Sequence, residues 1–215
     1  MAQRLIMSLQ IDLIFYMKSL QTITTFVSLL AMTIFTYNLN AQVEDTETVS
    51  LTANLQTSLA LTLGTSSVDF IFNTVDQYNN GIGSTGNIFH TATVNSTSNW
   101  ELEIKAQDDL IHTNGNDEIH LNQVGVSASL EGNYGSNRII NSTSLTAPLS
   151  LTKTKQVLLT KGNDTNAGNA SDNLFNIYWQ MGTQQTGMNN ISILQQDYKK
   201  GIYSTAVDFI LSEII

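Results

Sequence analysis

The chain has 215 residues, with 9 Lys and Arg against 18 Asp and Glu, a formal net charge of −9 and no cysteine. That balance argues against nucleic acid or an anionic membrane surface as partner, since both call for a basic patch. The missing cysteine excludes disulfides, thiolate metal sites, cysteine nucleophiles and a lipoprotein anchor. Charged residues make up only 13% of the chain, so Asn, Thr, Ser and Gln must supply most of the polar surface.

The first forty residues read as an address. Residues 17–41, MKSLQTITTFVSLLAMTIFTYNLNA, place Lys18 before an apolar run from Ile23 to Tyr37. Leu39-Asn40-Ala41 then offers a small residue ahead of Gln42. This is the layout of a secretory signal, so residues 1–41 are expected to be a signal peptide whose true start is Met17. The competing reading is an uncleaved membrane anchor, because the apolar run approaches spanning length. The expected location is accordingly the periplasm, the outer cell surface or the medium, with the membrane touched only through the signal segment.

Residues 42–215 are expected to form one all-β domain. Side chains on a strand point alternately to its two faces, so a period of two marks a half-buried strand. The longest run follows an acidic QVEDTET leader: Val49, Leu51, Ala53, Leu55, Thr57, Leu59, Leu61 and Leu63 keep one parity. At about 3.3 Å per residue this exceeds an ordinary strand, so it is one extended arm or two strands sharing a parity. Val68, Phe70 and Phe72 follow, then Ile88, His90, Ala92 and Val94. After a polar turn come Trp100, Leu102, Ile104 and Ala106. The run from Ile119 and Leu121 slips parity at Gln123 before Val124, Val126, Ala128 and Leu130, which suggests a β-bulge. Leu145 to Leu151 alternate, and Val157 and Leu159 follow a short basic turn. Phe175, Ile177, Trp179 and Met181 form a further run, and Tyr203 to Leu211 the last. Gly- and Asn-rich turns separate these segments, and no amphipathic helix is evident. The pattern predicts an antiparallel β-sandwich or barrel with Trp100 and Trp179 in its core.

Three places invite a chemical reading. Asp108, Asp109, His112, Asn114, Asn116, Asp117, Glu118 and His120 crowd into one loop. Hard oxygens there suit Ca²⁺, and two histidines suit a transition metal, although the spacing matches neither an EF-hand nor a zincin helix. A solvated hairpin is the plainer reading. Glu101 and Glu103 lie one strand repeat apart, as paired carboxylates for glycoside hydrolysis would, but they also alternate as a solvent face should. Residues 81–86, GIGSTG, have no helix behind them to hold a phosphate. No nucleophile elbow is present, and the three histidines are not set in a catalytic frame. The expectation is therefore a chain that is not an enzyme, with no catalytic residue, cofactor or resident metal assigned.

Two segments carry a resemblance. Residues 201–209, GIYSTAVDF, have the form G-x-Y-x-x-x-V-x-F, and residues 94–106, VNSTSNWELEIKA, have the form V-x-S-x-x-x-W-x-L-x-I-x-A. Both resemble strands of secreted bacterial pilin-like β-sandwich domains, of the spore-coat-U and Csu type, and of secreted Bacteroidota proteins. The resemblance implies an Ig-like or pilin-like sandwich that lacks one strand and is completed by a neighbour's N-terminal extension. Here residues 42–63 would be that extension, with exchange centred on residues 48–63, where main-chain hydrogen bonds and alternate side chains carry the recognition. It implies self-association, or pairing with another surface subunit, in a structural or adhesin-type protein. The cysteine pair common in such pilins is missing. The alternative is a soluble carbohydrate- or calcium-binding module using the 108–120 loop.

Overall fold

A computed structural model describes residues 2–36, 50 and 52–215, with side chains for residues 12–29, 50 and 52–215. It divides into two compact units, Met1–Ala53 and Asn54–Ile215.

In the first unit a single helix, α1 (Ala2–Thr36), runs through Met17 without a break. Its described side chains are exposed, Phe15 and Phe26 among them. The hydroxyls of Thr22, Thr24 and Thr25 donate to carbonyls one turn back, which satisfies them within an apolar stretch. Among the described residues no helix is long and apolar enough to cross a membrane. The expected cleavage site at Leu39 to Ala41 and the acidic leader that follows lie outside the described residues.

The second unit is mostly β, and every strand pair is antiparallel. In chain order it contains β1 (Leu59–Leu63), α2 (Val75–Asn80), β2 (Phe89–Ser96), β3 (Trp100–Ala106), β4 (Leu110–His112) and β5 (Glu118–Ile119). There follow β6 (Val124–Leu130), β7 (Ile139–Ile140), β8 (Leu149–Ser150), β9 (Gln156–Lys161), β10 (Leu174–Met181), β11 (Tyr203–Ser204) and β12 (Val207–Glu213). They form a five-stranded sheet β1-β2-β10-β6-β8, a four-stranded sheet β12-β3-β9-β7 and a three-stranded sheet β11-β4-β5.

The two larger sheets face each other across one core, the layering of a β-sandwich. Alternation decides which side chains meet there. On β2, His90, Ala92, Val94 and Ser96 are buried, and on β3 Trp100, Leu102, Ile104 and Ala106 are. Trp100 stacks on Phe175 of the opposite sheet with ring centres 6.4 Å apart. Trp179 meets Phe209 edge-on at 6.1 Å. Burying Trp100 alone contributes up to about 5 kcal/mol, from roughly 200 Å² at about 25 cal/mol/Å².

The first residue of β3 has a further restraint. Trp100 pairs with Glu213 of β12 on one side, while its pairing with β9 begins only at Leu102. The gap is filled by Asn166, which is fully buried. Its Oδ1 accepts from the Trp100 backbone N–H at 3.0 Å and its Nδ2 donates to the Trp100 carbonyl at 2.9 Å. A side-chain amide thus replaces a strand neighbour, and the Asn166 carbonyl also accepts from the Trp100 indole at 2.9 Å.

Several expectations change. Among the described residues of the long N-terminal run only Leu59–Leu63 forms a strand. Val68, Phe70 and Phe72 pack on the core but lie outside any named strand. The slip at Gln123 is a short 3-10 turn (Leu121–Gln123) and not a bulge. The register shift falls instead where β3 meets β9 between Leu102 and Glu103, and it leaves Leu158 and Leu159 both buried with Val157 exposed. A short helix, α2, forms where none was expected, because Thr74 and Gln77 close a capping box at its start.

Candidate functional site

The polar loop is the hairpin β4–β5. Its register pairs Leu110 with Ile119 and Ile111 with Glu118. Leu110 and Ile119 turn into the core, which puts Glu118 and His120 together on the other face of β5. One step along the same register Asp109 comes beside His120. The turn is held by its own polar atoms: His112 N–H donates to the Asp117 carbonyl at 2.8 Å, and Asn114 Nδ2 to Asp117 Oδ2 at 2.7 Å. The Asn114 bond holds the Asp117 carboxyl below its ordinary range, helped by Lys199.

The eight residues singled out by the sequence do not converge on one point. His112 is buried and structurally engaged: Nδ1 accepts from Asn114 N–H at 3.0 Å, Nε2 lies 3.3 Å from the Lys200 carbonyl, and Tyr203 packs edge-on at 4.8 Å. Asp108 turns towards Lys153, whose ammonium lies 2.7 Å from Asp108 Oδ1 and 2.7 Å from Asp109 Oδ2. Those charged hydrogen bonds push both carboxyls down and the lysine up. Three groups do converge. His120 Nδ1 lies 3.8 Å from Glu118 Oε1 and 4.0 Å from Asp109 Oδ1. One ligating atom from each lies within 4.8 Å of the others. That arrangement lacks the six to eight oxygens of a calcium site.

Lys153 was missed in the sequence as part of this site. It stands in the basic turn before β9, and only the folded chain brings it to Asp109. Glu101 and Glu103 are engaged with the neighbouring strand and its approach: Thr160 Oγ1 donates to Glu101 at 2.8 Å, and Lys155 lies 3.0 Å from Glu103. Within GIGSTG, Ile82 bridges to Met181, and strand β2 follows, so no helix start faces the loop.

The second feature is the edge at β1. Leu59 lies opposite Ser96, the last residue of β2. Residues 54–58 therefore run past the end of their partner strand. Ser58 N–H still reaches Thr97 Oγ1 at 2.8 Å, and Thr57 Oγ1 donates to Glu213 at 3.3 Å. Leu55 shares the parity of Leu59 and Leu61, which pack on the core, yet it is 93% exposed. The part of the expected arm at residues 42–49 and 51 lies outside the described residues.

No family model matches the chain, and no curated protein does. Among solved structures it is similar to a family 123 glycoside hydrolase from Clostridium perfringens, at 13% identity and a TM-score of 0.32, over 74% of this chain. The chain spans only 25% of that hydrolase. The expectation that the chain is not an enzyme is corrected by this finding, since the matched protein is a glycoside hydrolase. At that TM-score the likeness assigns no activity and no residue role.

Proposed function

We propose that this chain is an exported β-sandwich protein of Ig-like or pilin-like type, a structural or adhesin-type component of the cell surface. It assembles with a second copy, or with another surface subunit, through its N-terminal segment. In this reading residues 1–41 are the export signal and residues 42–63 the assembling arm.

The observation that supports it is the overrun at β1. A leucine with core parity stands 93% exposed at Leu55, beyond the last residue that β2 offers as partner. An edge strand whose leading residues outrun the partner strand is a template for strand addition.

Truncation tests this. Protein beginning at Gln42 is compared with protein lacking residues 42–55, by light scattering and by thermal unfolding. The expected result is an oligomer that falls to monomer on truncation. Two monomeric proteins of equal stability would refute the proposal.

A further inference from the structure

We propose that Asp109, Glu118 and His120 form a binding site for a borderline divalent transition-metal ion, with Zn²⁺ as the reference cation. The carrying observation is the convergence of one imidazole nitrogen and two carboxylate oxygens on one face of the β4–β5 hairpin. Their adjacency follows from the fold. Glu118 on β5 and His120 just past its end flank the inward Ile119, and extending the antiparallel register by one step sets Asp109 beside His120.

The geometry suits a small ion. Zinc bonds nitrogen and carboxylate oxygen at about 2.0–2.2 Å, so tetrahedral ligand atoms stand roughly 3.3 Å apart. Here the two distances from His120 Nδ1 are 3.8 and 4.0 Å. Closing them takes about 0.5 and 0.7 Å, which the exposed side chains of Glu118 and His120 can supply by rotation. Asp109 is already anchored. Its Oδ1 accepts from Leu121 N–H at 3.2 Å and keeps a second lone pair, while its Oδ2 is held by Lys153. Three protein ligands leave a fourth position for water or an outside donor, the arrangement of an open zinc site. An imidazole with carboxylates suits Zn²⁺, Cu²⁺ or Ni²⁺, whereas Ca²⁺ and Mg²⁺ want more oxygens than the site holds.

Lys153 tunes this site. Its ammonium sits on the far oxygen of the same carboxylate, so it orients Asp109 but repels an arriving cation. Replacing it with methionine keeps the stem and removes the charge, which should tighten metal binding.

The test is calorimetric titration of the purified protein with ZnCl₂, alongside CaCl₂. The expected result is saturable zinc binding with no calcium heat. His120→Ala and Glu118→Gln should each weaken zinc at least as much as the roughly 10–100-fold that losing a supporting partner costs metal sites. Lys153→Met should strengthen it, and Asp108→Asn should not weaken it. His120 and Glu118 are exposed, so these variants should unfold at the parent temperature, which a melting curve verifies. Paramagnetic Cu²⁺ should broaden the ring signals of His120 before those of His90 and His112. Absent zinc heat, undiminished binding in His120→Ala, or equal competition by Ca²⁺ would each overturn the site.

Discussion

Asn166 offers the sharpest test of how the sandwich is held. Asn166→Ala removes both partners of the Trp100 main chain, whose N–H and carbonyl are then left unpaired in a fully buried place. A buried polar group left unpaired costs about 1–3 kcal/mol, so two give roughly 2–6 kcal/mol. The void left by the lost amide adds to that. About 4 kcal/mol is a large part of the roughly 5–15 kcal/mol that holds a domain together. Urea unfolding followed by tryptophan fluorescence should show a much lower midpoint with an unchanged slope, because the surface exposed on unfolding is the same. Asn166→Asp keeps the acceptor but sets an acidic oxygen against the Trp100 carbonyl, so it should not rescue. A loss under about 1 kcal/mol in Asn166→Ala would show that the side-chain amide is not replacing a strand neighbour.

Two further changes read other parts of the unit. Gly201→Ala would place a methyl carbon 1.9 Å from His112 Nε2, so the ring must leave its place against Tyr203. Its loss should be a few kcal/mol, seen as a lower melting temperature, and a neutral outcome would contradict the close approach. His90 is buried with Trp179 Nε1 donating to its Nδ1 at 3.2 Å, and burial lowers its affinity for a proton. The unfolded chain then binds the extra proton more readily, so stability rises with pH. Its contribution should be intact above about pH 6.5, the ordinary histidine value, and fall as pH drops below it. His90→Gln should flatten that part of the pH–stability curve measured by urea unfolding.

Legibility in the sequence followed the physics of each segment. On β2, β3 and most of β10 one face is core, so hydrophobic alternation and burial coincide, and Trp100 and Trp179 stand where the period puts them; on β6 both faces are covered from Val124 to Ala128. On β9 the register shift breaks the parity, so Val157 and Leu159, alike in sequence, differ in burial. Val68, Phe70 and Phe72 alternate because the chain is extended, but alternation says nothing of whether a strand lies alongside. The capping residues Thr74 and Gln77 were a readable signal for α2, obscured by the brevity of the helix. At the hairpin the residue types were evident, and their grouping was not. Which of eight polar side chains face one another depends on a two-pair register, and the lysine that holds Asp109 arrives from some forty residues away.

The contact between Thr57 and Glu213 has a topological consequence. It brings the entry of the second unit beside its exit, since β1 also packs near β12. Joining the two by a short flexible linker would close the unit into a ring with little distortion, and the ring could be reopened at Gly115, where an added side chain meets open space. Such a permuted chain would begin and end in the hairpin. Its first natural strand would then be tethered at both ends, unable to leave its own sheet without carrying the last strand with it.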